Sequence, residues 1–351
     1  MKQKKALITG SSGLTGSEMV KLLCNEGWIV YGIDADIRAH LFGQHATTKE
    51  TGNSLTRMYK DFSTYNIDIR DSERLDQFFK DYGPFDFICH AAAQPAHEWS
   101  TNNAREDFAI NAVGTLNVLE AYRQYSPESP FVYVSSSKIA GDSVNTLPLV
   151  ELDTRFDLPT GHKYYWGVDE EFCRIDCTGK SLFGNSKACG DLTAQEYARY
   201  FNLPIGIFRP VCISGSAHKG DRLHGFLAYV VKCVATGEKY IINGAAGKQL
   251  RDNIHATDLC QAFYEFYKSP YPDFYNIGAG RHSCCSVIEA IHDSEKILNR
   301  KAVYEYGDKE RLFDHHWCVY SSNKFKSRYP KWNIEYTHEK LLLETCSQYI
   351  Q

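Results

Sequence analysis

The sequence predicts an α/β fold: a doubly wound parallel sheet with helices on both faces. Two observations carry that expectation. Short apolar runs alternate with helical patterns through the first half of the chain, the mark of βαβ units around a parallel sheet. Gly10-x-x-Gly13-x-x-Gly16 directly follows the first apolar run and opens a helix, and an acid, Asp34, closes the second run.

The elements follow from the pattern in order. Ala6 to Thr9 is the first expected strand, and Ser17 to Glu26 the helix after it. Trp28 to Ile33 is the second strand, followed by a polar loop that includes Thr47 to Ser54, where no periodicity shows. Tyr65 to Ile69 is expected as a strand and Ser72 to Tyr82 as an amphipathic helix. Phe85 to His90 is the next strand, before a long helix from about Ala109 to Tyr125 and a strand from Phe131 to Ser135. From Glu151 to Lys180 the pattern breaks into a polar, aromatic insertion. A helix from Asn185 to Tyr200, a strand from Ile205 to Arg209 and a last strand from Asp273 to Gly278 complete the sheet. Residues 1–185 are expected to form a dinucleotide-binding domain of the Rossmann type, to which segments near 205–215 and 253–280 return. Residues 186–351 mainly form a smaller, interleaved C-terminal substrate domain.

Composition excludes several classes. The 351 residues are 43% hydrophobic and 23% charged, as in an ordinary soluble protein. A net charge of -4 gives no basic field for nucleic acid. The start is basic, but the apolar run Ala6-Leu7-Ile8 is too short for a secretory signal. No stretch approaches the roughly 18 apolar residues of a membrane span. Twelve cysteines are scattered from Cys24 to Cys346. Cys173-x-x-x-Cys177 and Cys284-Cys285 lack a second pair at zinc-site spacing, so no metal site is assigned. The expectation is a cytoplasmic protein with reduced, mostly buried thiols.

The glycines Gly10, Gly13 and Gly16 allow a tight turn and close approach of a pyrophosphate to backbone N–H groups at a helix N-terminus. Asp34 is placed to accept from both ribose hydroxyls of an adenosine, and its charge repels a 2′-phosphate. The expected cofactor is therefore NAD rather than NADP. Further on, Ser135-Ser136-Ser137 ends a strand, and Leu182-Phe183-Gly184-Asn185-Ser186-Lys187 opens a helix. Lys187 falls four residues after Phe183, on the same helix face.

These motifs resemble the extended short-chain dehydrogenase/reductase family, the nucleotide-sugar epimerases and dehydratases, over nearly the whole chain. Asp68-Ile69 is similar to the pair that meets the adenine, and His90-Ala91-Ala92-Ala93 to the loop under the cofactor. Asn111-Ala112-Val113-Gly114-Thr115 resembles the central-helix motif, and Arg209-Pro210 the strand end before the substrate domain. Ser137-Lys138-Ile139-Ala140-Gly141-Asp142, Gln94-Pro95 and Gly247-Lys248-Gln249-Leu250-Arg251-Asp252 resemble the CDP-paratose 2-epimerase group within it. Two positions depart from the family: Phe183 stands at the catalytic Tyr, and Ala140 at a common Tyr of the strand-end motif.

The resemblance implies an NAD-dependent enzyme that epimerises a nucleotide diphosphate sugar by transient hydride transfer, working as a homodimer. Ser136 would bond the reacting oxygen, and Lys187 would hold the nicotinamide ribose. Lys138, Arg251 and Arg311 would meet the substrate, guanidinium being suited to bidentate phosphate binding. A phenyl ring carries no proton, so the usual base is missing at Phe183. Lys187, Lys138, Tyr164 and Tyr165 are the candidates to replace it. A dehydratase or one-way oxidoreductase on the same scaffold, or a non-catalytic binding protein, stays open on sequence alone.

Overall fold

The computed structural model describes residues 3–176, 178–218, 220–222, 225–309 and 312–350. The chain divides into two compact units, the first made of residues 1–136, 182–209 and 259–275, the second of 137–181, 210–258 and 276–351. Among the described residues no helix is long and apolar enough to cross a membrane.

The first unit is built on seven strands: β1 (Lys5–Thr9), β2 (Ile29–Ile33), β3 (Phe62–Tyr65), β4 (Phe87–His90), β5 (Phe131–Val134), β6 (Ile205–Pro210) and β7 (Asp273–Ile277). Their order across the sheet is β7-β6-β5-β4-β1-β2-β3. The pairs β1–β2, β2–β3, β1–β4, β4–β5 and β5–β6 are all parallel. Strands covered on both faces read as continuous apolar runs, and β4, β5 and β6 are buried at every residue. The winding reverses between β1 and β4, the switch point where such sheets leave a crevice at their carboxyl ends.

Several local expectations shift. The strand expected at Tyr65 to Ile69 lies earlier, at Phe62–Tyr65. Ile67 and Ile69 alternate because both plug the core from a loop closed by the Asp71 N–H on the Asp68 carbonyl. Part of the expected loop after β2 is helix Lys49–Met58, which buries only Gly52 and Leu55 and so leaves no apolar stripe to read. The expected helix from Ala109 begins with Ala104–Phe108 and passes through a π-type turn, Ala109–Val113, before Gly114–Tyr125. Helix Leu182–Tyr200 starts three residues earlier than expected, which puts Phe183 in its first turn. There the Phe183 N–H, one of the donors a helix start leaves without an internal partner, donates to Ser100 Oγ at 3.1 Å.

One buried ion pair fixes that helix to the sheet. Asp191, with no exposed surface, accepts from Arg209 Nε at 3.0 Å and Nη2 at 2.8 Å, from Ser135 Oγ at 2.6 Å and from Gln195 Nε2 at 2.7 Å. The Arg209 guanidinium also lies over the Phe274 ring at 4.2 Å.

In the second unit, strand Leu250–His255 pairs in parallel with Cys212–Ser214 and Trp317–Cys318, and antiparallel with Cys284–Cys285. A separate core joins helices Phe226–Thr236, Val287–Leu298 and His338–Ser347. Ser286 and Glu289 form a reciprocal cap on the middle helix, the S-x-x-E arrangement that satisfies two N-terminal donors. The aromatic insertion is anchored within this unit, because Asp157 accepts from both terminal nitrogens of Arg281 and from Trp317 Nε1. Tyr165 lies under the Arg281 guanidinium at 3.5 Å, and Tyr164 packs on Phe172.

Replacing Asp191 with Ala should leave Arg209 buried without its partner. We expect a loss of about 3–5 kcal/mol, the range for breaking a buried pair, measurable by denaturant unfolding. A change under about 1 kcal/mol would show that the pair is incidental.

Candidate active site

At the switch point the chain makes a cradle that side chains would fill. Gly10 has φ +67°, and a Cβ there would come within 2.8 Å of Ala92 N and Cα. A Cβ on Gly16 would lie 2.1 Å from the Gly10 carbonyl oxygen. Gly13 caps helix Leu14–Asn25 in an extended conformation, and the helix's first turn carries no acidic side chain. Backbone N–H groups at such a terminus favour an anion. The cradle therefore fits the pyrophosphate of a dinucleotide.

Asp34, just beyond β2, accepts the Ser12 N–H at 2.9 Å and the Asp36 N–H at 2.8 Å. Burial pushes its carboxyl up, against the pull of these two bonds. The Asp36 carboxylate accepts from Thr47 Oγ1 and from the N–H and Oγ1 of Thr48. Asp68 is held by Arg70, whose Nη2 reaches it at 2.7 Å. Burial would raise that carboxyl, but the Arg70 bonds outweigh it and keep it low. Ile69 is buried, and a Cβ on Gly114 would strike its side chain at 2.7 Å.

Beneath the cradle runs a hydrogen-bonded chain whose directions fix one another. The Ala91 N–H donates to the Thr9 carbonyl and the Ala92 N–H to Thr9 Oγ1. Thr9 Oγ1 lies 2.7 Å from His90 Nδ1, and His90 Nε2 lies 3.1 Å from Thr115 Oγ1. Thr115 gives its proton to the Asn111 carbonyl at 2.7 Å. His90 Nε2 is then a donor, and in the neutral ring that burial favours, Nδ1 accepts from Thr9 Oγ1. Burial first, and the Lys187 charge second, lower its pKa to about 3.

Ser136, Phe183 and Lys187 follow on the end of β5 and the adjoining helix. Ser136 is partly buried, and Phe183 is 8% exposed. The Lys187 ammonium donates to the Val134 carbonyl at 2.7 Å and sits over the Tyr133 ring at 4.5 Å. Burial lowers its pKa to about 8, with Asp191 and Asp107 opposing the shift. Asp107 is a residue that sequence reasoning missed. It is 1% exposed and accepts from Gln94 Nε2 at 2.6 Å and Asn111 Nδ2 at 3.2 Å. Its only sequence signal is its position four residues before Asn111 on one helix face.

In the second unit Lys138 and Arg251 come together on one carboxylate. Asp314 accepts from Lys138 Nζ and from Arg251 Nη2, each at 2.8 Å. Arg251 Nη1 also donates to the Leu250 and His315 carbonyls. Burial would raise the Asp314 carboxyl, but Arg251 and Lys138 hold it well below the usual range. Arg311 lies outside the described residues.

The NAD dependent epimerase/dehydratase family matches residues 6–278. The chain belongs to that family. It is 30% identical to the CDP-paratose 2-epimerase of Salmonella typhi over 273 residues, covering 74% of this chain and 73% of that protein. Among solved structures, it resembles the UDP-glucose 4-epimerase of Thermus thermophilus in complex with NAD (TM-score 0.78, 21% identity, 98% of both chains). A UDP-glucuronic acid 4-epimerase of Bacillus cereus is similar to the same degree (TM-score 0.78, 20% identity, 98% of both chains). That protein was solved as a Tyr-to-Phe mutant in complex with UDP-4-deoxy-4-fluoro-glucuronic acid and NAD. This chain is thus an NAD-dependent enzyme of the nucleotide-sugar epimerase and dehydratase group.

A test of the buried chain follows from linkage. An unfolded histidine takes up its proton near pH 6.5, whereas folded His90 resists it down to about 3. The unfolded state therefore binds more protons in that window. Stability is whole above pH 6.5 and falls by up to about 1.4 kcal/mol per unit below it. His90→Asn should lose stability overall but shed that share of the slope, read from denaturant unfolding between pH 7 and 4. Equal slopes in the two proteins would mean that His90 is not held neutral.

Proposed function

We propose that the chain is an NAD-dependent nucleotide-sugar epimerase of the CDP-paratose 2-epimerase type, acting with Phe183 where the family's Tyr base stands. The observation that carries this reading is Lys187, buried four residues after Phe183 with a pKa lowered to about 8. Gly10, Gly13 and Gly16 cradle the pyrophosphate, and Asp34 takes the adenosine ribose. Asp68 and Ile69 border the adenine, and Ala91 and Ala92 line the floor. Lys138, Arg251 and Arg311 grip the substrate diphosphate.

When bound, NAD⁺ would supply the hydride acceptor, and the NADH so formed the donor to the other face of the ketone. Ser136 donates a hydrogen bond to the reacting sugar oxygen and stabilises charge on it. Lys187 holds the nicotinamide ribose and, when neutral, takes the hydroxyl proton that Phe183 cannot. Returning that proton to the same oxygen closes the cycle. A carboxylate or phenol need not be added, because burial alone brings this amine near neutrality.

One observation favours a second reading. Phe183 is buried and its N–H is satisfied, so the helix start closes without a phenol; on this reading the chain holds NAD and a sugar nucleotide without turning the sugar over. The Bacillus cereus mutant, which carries a Tyr-to-Phe change and both ligands, supports the compatibility of such a site with binding. Incubation with a panel of CDP-, UDP- and GDP-sugars, followed by NMR of the products, separates the two readings. With Lys187 as base, the parent turns over its substrate and the rate climbs as pH rises through about 8. Phe183→Tyr then changes the rate by no more than about tenfold, well short of the gain a restored base gives an inert site. An inert parent beside a Tyr variant that gains about 10²–10⁴-fold would sink the Lys187 mechanism, and a rate that falls through that pH would assign Lys187 a charge role only.

The protein is further proposed to be a cytoplasmic homodimer. Phe108, Val113, Leu116 and Leu192 are about two-fifths exposed or more on the two helical runs of the first unit, an apolar surface that a second copy would cover. Light scattering should give twice the 40.0 kDa chain mass at micromolar concentration; a monomer would remove this claim.

A further inference from the structure

Asp314 gathers two cations that lie far apart in the sequence. Its Oδ1 accepts from Lys138 and its Oδ2 from Arg251, so each oxygen serves one partner. The three side chains are only 21%, 18% and 11% exposed for Lys138, Asp314 and Arg251. The loop behind the carboxylate is pinned at three points. Asn145 Nδ2 donates to the Asp314 carbonyl, Asn145 Oδ1 accepts the His316 N–H, and His315 Nε2 bonds the Gly141 carbonyl. The Asp314 oxygens are thus fixed points rather than a swinging arm.

This arrangement carries two costs before any ligand arrives. Two like charges are brought together, and two long side chains lose rotamer freedom worth up to about 2 kcal/mol each. A carboxylate with an oxygen for each cation offsets both. The formal charge left over is one positive, on a pair rich in donors, since guanidinium carries five N–H groups and ammonium three. An anion with two adjacent phosphoryl groups can then bridge the cations without having to order them.

We propose that Asp314 is a positioning residue, whose two oxygens space Lys138 and Arg251 so that one diphosphate engages both. The proposal rests on reading Lys138 and Arg251 as the substrate-side cations. It assigns Asp314 no contact with the phosphates; it acts through its partners, and the two cations work as one receptor only while it spaces them.

The test is calorimetric titration of CDP and UDP into the full-length protein and its Lys138→Ala, Arg251→Ala, Asp314→Asn and Asp314→Glu variants, with the double variants of Asn with each Ala. NAD affinity of each variant checks folding independently. Asp314→Asn should weaken the nucleoside diphosphate roughly tenfold or more, as expected for losing a charge-assisted contact. Asp314→Glu, which keeps the charge but moves the oxygens, should lose severalfold. Truncating Lys138 or Arg251 should cost much less in the Asn background than in the parent, because the coupling has already been removed. Additive costs, tighter binding in Asp314→Asn, or parental affinity in Asp314→Glu would each overturn the proposal and leave the reading of the two cations standing. If neither Ala variant weakens CDP or UDP in the parent, that reading falls and takes the proposal with it.

Discussion

The buried Asp191–Arg209 pair is the constraint on which the first unit's candidate site depends. Two ions taken out of water are costly, and their attraction repays that only when every lone pair and proton is used. Here Asp191 has four donors, and Arg209 adds a ring face. The consequence is positional. Asp191 lies one turn after Lys187, so its bond to Ser135 and the Lys187 bond to the Val134 carbonyl fasten the helix to the end of β5 at two successive residues. Ser136 and Phe183 are carried by the segments so fastened. Slippage of the helix by one residue would turn the Asp191 carboxylate away from Arg209, an error far more costly than any single surface contact.

The cofactor cradle depends on a second, neutral device. The ends of β1 and β4 are neighbours at the switch point, with Thr9 opposite His90. That pairing lets one threonine hydroxyl receive the Ala92 N–H and still give its proton to the ring. The ring then passes a hydrogen bond to Thr115, on the helix that begins after the π-type turn. Extra width in that turn and the Thr115 bond to the Asn111 carbonyl belong together, because a widened turn leaves a carbonyl seeking a donor. A charged histidine would donate at Nδ1 as well, so Thr9 Oγ1 would accept from both the ring and the Ala92 N–H and could no longer give the ring its proton. Burial selects the neutral ring, in which Thr9 Oγ1 can receive the Ala92 N–H and give its proton to Nδ1.

What is legible in the sequence is whatever local spacing specifies. Gly10, Gly16 and Asp34 act within one βαβ unit, and the alternation of apolar runs marks the sheet. Positions whose meaning lies with a distant partner are not legible. Asp314 acquires its role from residues 138 and 251, and Asp191 from 135 and 209; nothing in their own neighbourhoods marks them. Helix Lys49–Met58 reads as a loop because Gly52, the residue it seats against Ser12, is not apolar and its burial leaves no periodicity. Ile67 and Ile69 mislead in the opposite sense, since a loop that plugs a core alternates as a strand does. Arg251 is marked by resemblance as a substrate-side cation but not as one already paired with Asp314.

The separation of folding from chemistry is clearest at Phe183. Removing a phenolic hydroxyl from a protein interior can cost stability when it strands a partner, yet the helix start here is closed by a bond between main chain and Ser100 that no ring substituent affects. That bond is the same whether Phe or Tyr stands at 183. On the proposed reading, the proton chemistry falls to the field around position 187. Burial destabilises the ammonium, while Asp191 and Asp107 stabilise it from behind, and the balance leaves the amine near neutrality. Asp107 is itself a buried carboxyl raised by desolvation, so a change that recharged or neutralised it would shift Lys187 in turn. The amine at position 187 is thus lowered by burial and raised again by two buried carboxyls, one of them held by Arg209.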